Sequence, residues 1–191
     1  MHRIKLTGAA LAGLLLTEPL LAHPFDAQPS GGLLPGLLHT LTGADHLMLL
    51  LLIGFSATHG AVVPRYRVLL ATLGLMAFGA LLGCLGWAPP ALELGLALSV
   101  LLLGALVATG IRPAMGLQGL VGVAVLYHGV AHGVEMPGGL NTWMYATGLL
   151  LASAGLLALG GLAGRSRGAM LGPLAGAVGG FVGASGLLSL V

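Results

Sequence analysis

Residues 37–55 read LLHTLTGADHLMLLLLIGF, an apolar run interrupted by His39, Asp45 and His46. Apolar runs of about 20 residues recur along the chain, and a helix of about that length crosses roughly 30 Å of hydrocarbon. Because lipid offers backbone groups no water, such runs are expected to form helices. The chain is 57% hydrophobic and only 6% charged, whereas an ordinary soluble domain carries roughly 25% charge. The sequence therefore predicts an all-α, polytopic membrane helix bundle.

The amino-terminal region, residues 1–22, has the pattern of a cleaved signal peptide. Arg3 and Lys5 precede an apolar stretch, and cleavage is predicted after Ala22. Without cleavage, the segment would remain as an additional helix. A periplasmic tail at 23–32 is expected next, followed by a six-helix transmembrane domain over 33–191. The six helices are predicted at roughly 33–57, 67–88, 91–110, 114–134, 140–162 and 170–190, separated by breaks that contain Pro or Gly.

The distribution of arginine predicts the orientation. Arginines follow the first, third and fifth predicted helices, at Arg65, Arg67, Arg112, Arg165 and Arg167. These loops lie on one side, which the positive-inside rule makes cytoplasmic. We therefore expect a protein of the bacterial inner membrane with both mature termini in the periplasm. The net charge of +2 lies in short loops and indicates no nucleic-acid partner. Two halves of three helices are expected to be inverted relative to each other.

The first polar cluster lies within the first predicted helix. His39 and His46 are seven residues apart, so a continuous helix places them on one face, with Asp45 beside His46. Counting from Leu33, His39 lies about 9 Å and Asp45 about 18 Å from the periplasmic edge. An unpaired carboxylate at that depth costs about 2.5–3.5 kcal/mol. Intramembrane carboxylates commonly mark an ion or proton path.

The second polar cluster ends the fourth predicted helix, where residues 126–137 read LYHGVAHGVEMP. His128, His132 and Glu135 project from one face. Two histidines at this spacing can coordinate one metal ion, and a carboxylate can complete the site. His128 has the same predicted depth as His39, about 9 Å. The two clusters are therefore expected to meet, with Asp45 and His46 one step further in. A lone membrane histidine more often bonds a neighbouring helix, but no intramembrane lysine or arginine is predicted to neutralise these carboxylates.

Two further histidines are open to two interpretations. His23 would begin the mature chain, so its imidazole and free amine could chelate a metal, or it could be an ordinary neighbour of the cleavage site. His59 is either an exit ligand or a surface histidine. Met48 and Met136 are soft enough for Cu(I), but as apolar membrane residues they carry little weight.

At these residues the chain resembles the HupE/UreJ family of hydrogenase and urease accessory membrane proteins. The first motif is similar to the family's pattern of His, five residues and Asp-His. The second is similar to its pattern His-x-x-x-His-Gly-x-Glu-x-Pro, and Ala22-His23-Pro24 resembles its mature start. Thr40 and Tyr127 stand where many members have Pro and Phe. The resemblance implies a secondary permease for Ni²⁺ or Co²⁺ that feeds a metalloenzyme maturation system and holds no prosthetic group. The ligands it implies are His39, Asp45, His46, His128, His132 and Glu135.

Two alternatives to a permease are a metal-binding protein that does not transport and an enzyme. A membrane metal sensor or metalloenzyme assembly factor could use the same ligands, and a flux assay separates it from a permease. A remote alternative is an intramembrane hydrolase, because Gly-Ala-Ser-Gly at 183–186 resembles a serine protease motif that needs a histidine base. In rhomboid proteases that histidine follows the serine, whereas no histidine follows Ser185. The sequence therefore favours a transporter over an enzyme.

Overall fold

The structure is a computed structural model that describes residues 31–58, 64–111, 115–165 and 171–191. The regular structure of these residues is entirely helical, in agreement with the predicted all-α class. The helices are α1 (Leu33–Thr42), α2 (Ala44–Ser56), α3 (Arg65–Cys84), α4 (Leu92–Thr109), α5 (Met115–Val134), α6 (Thr142–Ala163) and α7 (Leu171–Leu188). The predicted signal peptide, most of the predicted tail with His23, and His59 lie outside the described residues.

Several of these helices have the length and composition of membrane spans. Four of them, α3, α4, α6 and α7, are long and apolar enough to cross a membrane, with a mean hydropathy between 1.5 and 2.1. The α1–α2 pair meets the same criterion as one bent span. The observed bounds of α3 to α7 lie within four residues of the predicted ones, the largest difference being Cys84 against predicted residue 88 at the end of α3. The chain is a helical membrane protein, and the count of six spans stays a prediction.

The first span is broken, so the prediction of one continuous helix over 33–57 is wrong. The axes of α1 and α2 differ by 79° across a break at Gly43. The Gly43 N–H donates to the His39 carbonyl at 3.1 Å, and the Gly43 carbonyl accepts from the Leu47 N–H at 2.9 Å. Before the break, the Thr40 hydroxyl donates to the Gly36 carbonyl at 3.2 Å, a bond that tends to bend helices. Gly43 thus ends one helix and begins the next.

Glycines bring the helix backbones into direct contact. A Cβ atom on Gly129 of α5 would overlap the Met76 carbonyl of α3, and one on Gly79 of α3 would overlap the Leu126 carbonyl of α5. Similar close approaches join α4 to α7, and α6 to both α1 and α2. Small residues permit such contact between membrane helices. The glycines at these contacts therefore serve packing.

The helix pairs form a pattern that relates the two halves. The most extensive contacts pair α3 with α5, α4 with α7, and α6 with the broken span α1–α2. Exchanging the first half (α1–α2, α3, α4) for the second (α5, α6, α7) leaves this pairing unchanged. An inverted repeat of three spans produces such a pattern. Within it, α2 runs through the core, where Leu49 and Leu50 are fully buried.

Candidate metal centre

The predicted ligands that fall in the described residues come together in one cluster, which we call the imidazole cluster. It is built at the break between α1 and α2, against the end of α5. Its members are His39 of α1, Asp45 and His46 in the first turn of α2, His128 and His132 of α5, and Glu135 just beyond α5.

His46 lies at the centre of this cluster. Its ring centroid is 4.0 Å from that of His132 and 5.0 Å from that of His128. The His39 ring lies 5.0 Å from His132 and 5.7 Å from His46. The four imidazoles therefore form one continuous group that spans three helices.

Each carboxylate of the cluster lies beside one imidazole. Asp45 Oδ1 is 3.0 Å from His46 Nδ1, and Glu135 Oε2 is 3.2 Å from His39 Nε2. Both are ion-pair distances, and neither nitrogen makes a regular hydrogen bond. Two ligands bound at about 2.1 Å to one ion, with an angle of about 90–109° between them, lie roughly 3.0–3.4 Å apart. The spacing therefore suits two donors directed at a common ion.

Three of the side chains already approach the geometry of a metal site. Asp45, His46 and His128 each offer one ligand atom, and these atoms lie within 4.8 Å of one another. Three donors bound at about 2.1 Å around one ion lie roughly 3.0–3.6 Å apart. Closure onto an ion therefore requires these atoms to approach one another by about 1–2 Å, which side-chain rotation can supply.

Burial divides the cluster into an inner part and an accessible edge. His128 and His132 are fully buried, and His46 is 3% exposed. By contrast, the side chains of Glu135, Asp45 and His39 are 46%, 34% and 29% exposed. Both carboxylates and His39 thus lie at the accessible edge, while the other three imidazoles lie further inward.

The inner part holds several polar atoms without partners. His46 Nε2, both ring nitrogens of His132, His128 Nδ1 and the Tyr145 hydroxyl are buried and make no hydrogen bond. Buried polar side chains nearly always have a partner, and leaving one without costs about 1–3 kcal/mol. Imidazole and carboxylate donors suit Ni²⁺, Cu²⁺, Zn²⁺ and Fe²⁺. A bound transition-metal ion would satisfy several of these atoms at once.

Gly43 makes room for the cluster as well as ending α1. A Cβ atom on Gly43 would lie 2.7 Å from His46 Nδ1 and 3.3 Å from Asp45 Oδ1. The backbone here is extended, with φ −69° and ψ 111°, so any residue could adopt it. The requirement for glycine therefore comes from the space beside the imidazole and the carboxylate.

The sequence predicts the ligands at two depths in the membrane, and the bend shows that this arrangement is wrong. That arrangement set Asp45 and His46 about 9 Å deeper than His39, and it assumed a straight first helix. Because α2 turns by 79° at Gly43, His46 contacts both histidines of α5 and groups with Asp45 and His128. His39 and His46 therefore meet across a break, not along one helix face.

Two residues near the cluster escaped the sequence analysis. Ser99 Oγ of α4 lies 2.9 Å from His128 Nε2, and the Tyr145 ring of α6 lies 6.2 Å from His39. Each is a polar residue within an apolar run. Because burying such a group without a partner is costly, its presence there could have indicated a polar partner nearby.

Ser185 and Met48, two further residues singled out in the sequence, make other contacts. The Ser185 hydroxyl of α7 donates to the Val182 carbonyl at 2.8 Å, and α7 carries none of the cluster residues. Met48 packs against the hydrophobic core. These contacts support neither a serine hydrolase nor a Cu(I) site.

Comparison with known proteins gives a family match over nearly the whole chain. The family described as HupE / UreJ protein matches residues 11–189. Protein HupE of Rhizobium leguminosarum bv. viciae is 36% identical over 193 residues, an alignment that covers 100% of each chain. No solved structure matches the chain.

Proposed function

This chain belongs to the HupE/UreJ family, and we propose that it is a secondary permease that carries Ni²⁺ or Co²⁺ into the bacterial cytoplasm for metalloenzyme maturation. The observation that carries the proposal is the imidazole cluster, in which buried ring nitrogens lack partners beside two carboxylates. In this proposal the chain lies in the inner membrane with both mature termini in the periplasm.

The membrane potential supplies enough energy for uptake. At 100 mV, inside negative, a divalent cation gains about 4.6 kcal/mol on moving inward. That free energy corresponds to an accumulation of roughly a thousandfold. A permease of this kind therefore needs no nucleotide-binding domain, and the sequence has no nucleotide-binding motif.

The proposed path begins at the accessible edge of the cluster. Glu135 and His39, whose donor atoms are 3.2 Å apart, receive the ion from the periplasmic side, and His23 could deliver it to them. The ion then passes to Asp45, His46 and His128, whose ligand atoms lie within 4.8 Å of one another. His132 contacts His39 and His46, so it can hold the ion during this transfer.

Beyond the cluster, the way to the cytoplasm is closed by packed side chains. Leu49 and Leu50, which follow His46 on α2, are fully buried, and Leu52 is 1% exposed. An ion held at His46 therefore has to wait for helices to move. This arrangement favours alternating access over an open channel, and the inverted pairing of the halves suits such a movement.

The test is uptake of radioactive nickel and cobalt into proteoliposomes with a controlled inside-negative potential. We expect His128→Ala, His132→Ala and Asp45→Asn to reduce uptake at least tenfold, because each removes one ligand. Glu93→Gln is the matched control, since Glu93 is an exposed carboxylate in the first turn of α4, and we expect uptake like that of the unchanged protein. Circular dichroism and gel filtration establish that each variant folds.

Two outcomes would contradict the proposal. Metal binding without accumulation inside the vesicles would identify a sensor or an assembly factor that uses the same ligands. Failure of the unchanged protein to bind either metal would show that neither Ni²⁺ nor Co²⁺ is the substrate.

A further inference from the structure

Ser99 is held against the imidazole cluster by a close approach of α4 and α5. One turn before it, Gly95 leaves space for the neighbouring helix, since a Cβ atom there would lie 2.6 Å from Cδ1 of Tyr127. The Tyr127 ring therefore rests on α4, and the next residue, His128, faces Ser99. Ser99 Oγ lies 2.9 Å from His128 Nε2 and 2.7 Å from the Leu96 carbonyl oxygen.

Counting hydrogens assigns the direction of these two bonds. A serine hydroxyl carries one hydrogen, and a carbonyl can only accept. The Ser99 hydrogen therefore goes to the Leu96 carbonyl, and Ser99 Oγ accepts from the N–H at His128 Nε2. A neutral imidazole has one N–H, so the lone pair lies on His128 Nδ1.

The opposite assignment leaves a worse arrangement. If Ser99 donated to Nε2, the ring hydrogen would sit on Nδ1, which is buried and makes no hydrogen bond. The bond from Ser99 to the Leu96 carbonyl would then be lost as well, and a buried N–H would have no acceptor. With the hydrogen on Nε2, by contrast, Nδ1 carries a free lone pair within the cluster, and this lone pair can coordinate a metal ion.

We propose that Ser99 is a positioning residue that fixes the tautomer and orientation of His128, so that Nδ1 is the nitrogen presented to the transported metal. The inference rests on the proposed function of the cluster and adds to it a residue from α4. Groups that hold the second nitrogen of a metal-binding histidine typically contribute 10–100-fold in metal affinity.

The first measurement is nitrogen NMR of the metal-free, full-length protein in nanodiscs with ¹⁵N-labelled histidine. The His128 signals are identified by their loss in His128→Gln. We expect the tautomer with hydrogen on Nε2 in the unchanged protein and in Ser99→Thr, and a mixture of tautomers in Ser99→Ala. Detection of hydrogen on Nδ1 in the unchanged protein would overturn the proposal.

The second measurement is Ni²⁺ affinity by calorimetry on the same proteins. We expect Ser99→Ala to weaken binding 10–100-fold, and Ser99→Thr, which keeps the hydroxyl, to restore it. Ser185→Ala is the matched control, because the Ser185 hydroxyl also bonds a carbonyl three residues earlier on a helix that carries no cluster residue. Unchanged affinity in Ser99→Ala, or an equal loss in Ser185→Ala, would contradict the positioning role.

The two proposals can fail separately. The tautomer is read without metal or transport, so a protein that binds nickel but does not carry it would overturn the permease and leave the Ser99 assignment intact. Conversely, normal uptake by Ser99→Ala would overturn the role of Ser99 and leave the permease intact.

Discussion

Tyr145 is a buried tyrosine whose ring lies near that of His39, one of the proposed metal ligands. The residue is 3% exposed, and its oxygen has no hydrogen-bond partner. Its ring lies 6.2 Å from that of His39. Such a hydroxyl costs about 1–3 kcal/mol in the metal-free protein, but a water or carboxylate that moves with the ion can give it a partner. Its contribution is therefore expected in the loaded state.

We predict that Tyr145→Phe leaves the metal-free protein at least as stable and weakens Ni²⁺ binding several-fold. Phenylalanine fills the same space without the unpaired hydroxyl, so the metal-free protein loses no bond. Thermal unfolding with and without Ni²⁺ measures both effects, and the metal-induced rise in Tm should shrink. A lower Tm without metal, combined with an unchanged metal-induced rise, would show that the hydroxyl serves only the fold.

Gly43 gives a second prediction for a single residue. Gly43→Ala can keep the extended backbone at the break, but its Cβ atom would lie 2.7 Å from His46 Nδ1 and push the imidazole away from Asp45. We expect uptake to fall at least tenfold while the helical circular dichroism stays unchanged. Gly74→Ala is the control, because a Cβ atom there meets nothing within 4 Å. Normal uptake by Gly43→Ala would show that the cluster tolerates this displacement.

At the scale of the helix, the α1–α2 break decides which side chains meet. Gly43 lies within an apolar run long enough to span a membrane, and 34 glycines occur in the chain, so this glycine did not by itself predict a break. The limits of α3 to α7 could be predicted because the thickness of the bilayer sets the length of a span. The bend depends on how the helices pack against one another, and the hydrophobic pattern of a single span carries no information about that packing.

The distinction between patterns within one helix and packing between helices also explains which parts of the site could be predicted from the sequence. His128, His132 and Glu135 could be grouped because helical spacing places them on one face. Ser99 and Tyr145 come from other helices, and their proximity to the cluster follows from how α4 and α6 pack. Contacts within an element were therefore predictable, and the meeting of the two clusters followed from their similar predicted depth, whereas the contacts of Ser99 and Tyr145 were not predicted.

The α3–α5 contact leads to a prediction about this element. Gly129 lies between His128 and His132 in the sequence, and a Cβ atom there would overlap the Met76 carbonyl of α3. We expect Gly129→Ala to push α5 away from α3 and to reduce both Tm and nickel uptake. Gly119→Ala, on the same helix, should raise or preserve Tm, because a Cβ atom at Gly119 meets nothing within 4 Å and alanine favours helix. Equal effects of the two substitutions would contradict the role of close packing.

For the whole molecule, the pairing of helices suggests a reason for the two halves. The pairs α3–α5 and α6 with α1–α2 exchange with each other when the halves are swapped, and α4–α7 is exchanged with itself. Inverted halves can adopt each other's conformations, which turns an outward-open protein into an inward-open one. The proposed orientation of the chain follows from the arginines of alternate loops.

Labelling of cysteines tests that orientation. Cys84 is the one cysteine of the chain, so Cys84→Ala provides a clean background. We expect Gly138→Cys, between α5 and α6, to react with an impermeant maleimide in intact spheroplasts, and Ile111→Cys, after α4, to react only once the membrane is permeabilised. Both positions are exposed. The reverse pattern of labelling would invert the proposed direction of transport.

The glycine contacts between helices also limit how this chain can vary over generations. A missense change in a glycine codon always adds at least a Cβ atom. At a glycine that contacts a neighbouring backbone, every such substitution is therefore expected to be harmful. Random mutagenesis under selection for uptake should therefore deplete variants along three helix seams as strongly as at the ligands. The seam positions are Gly36, Gly54, Gly79, Gly83, Gly104, Gly129, Gly133, Gly148, Gly160, Gly176 and Gly183. Much of the heritable constraint on this gene would then fall on residues without any chemical function of their own.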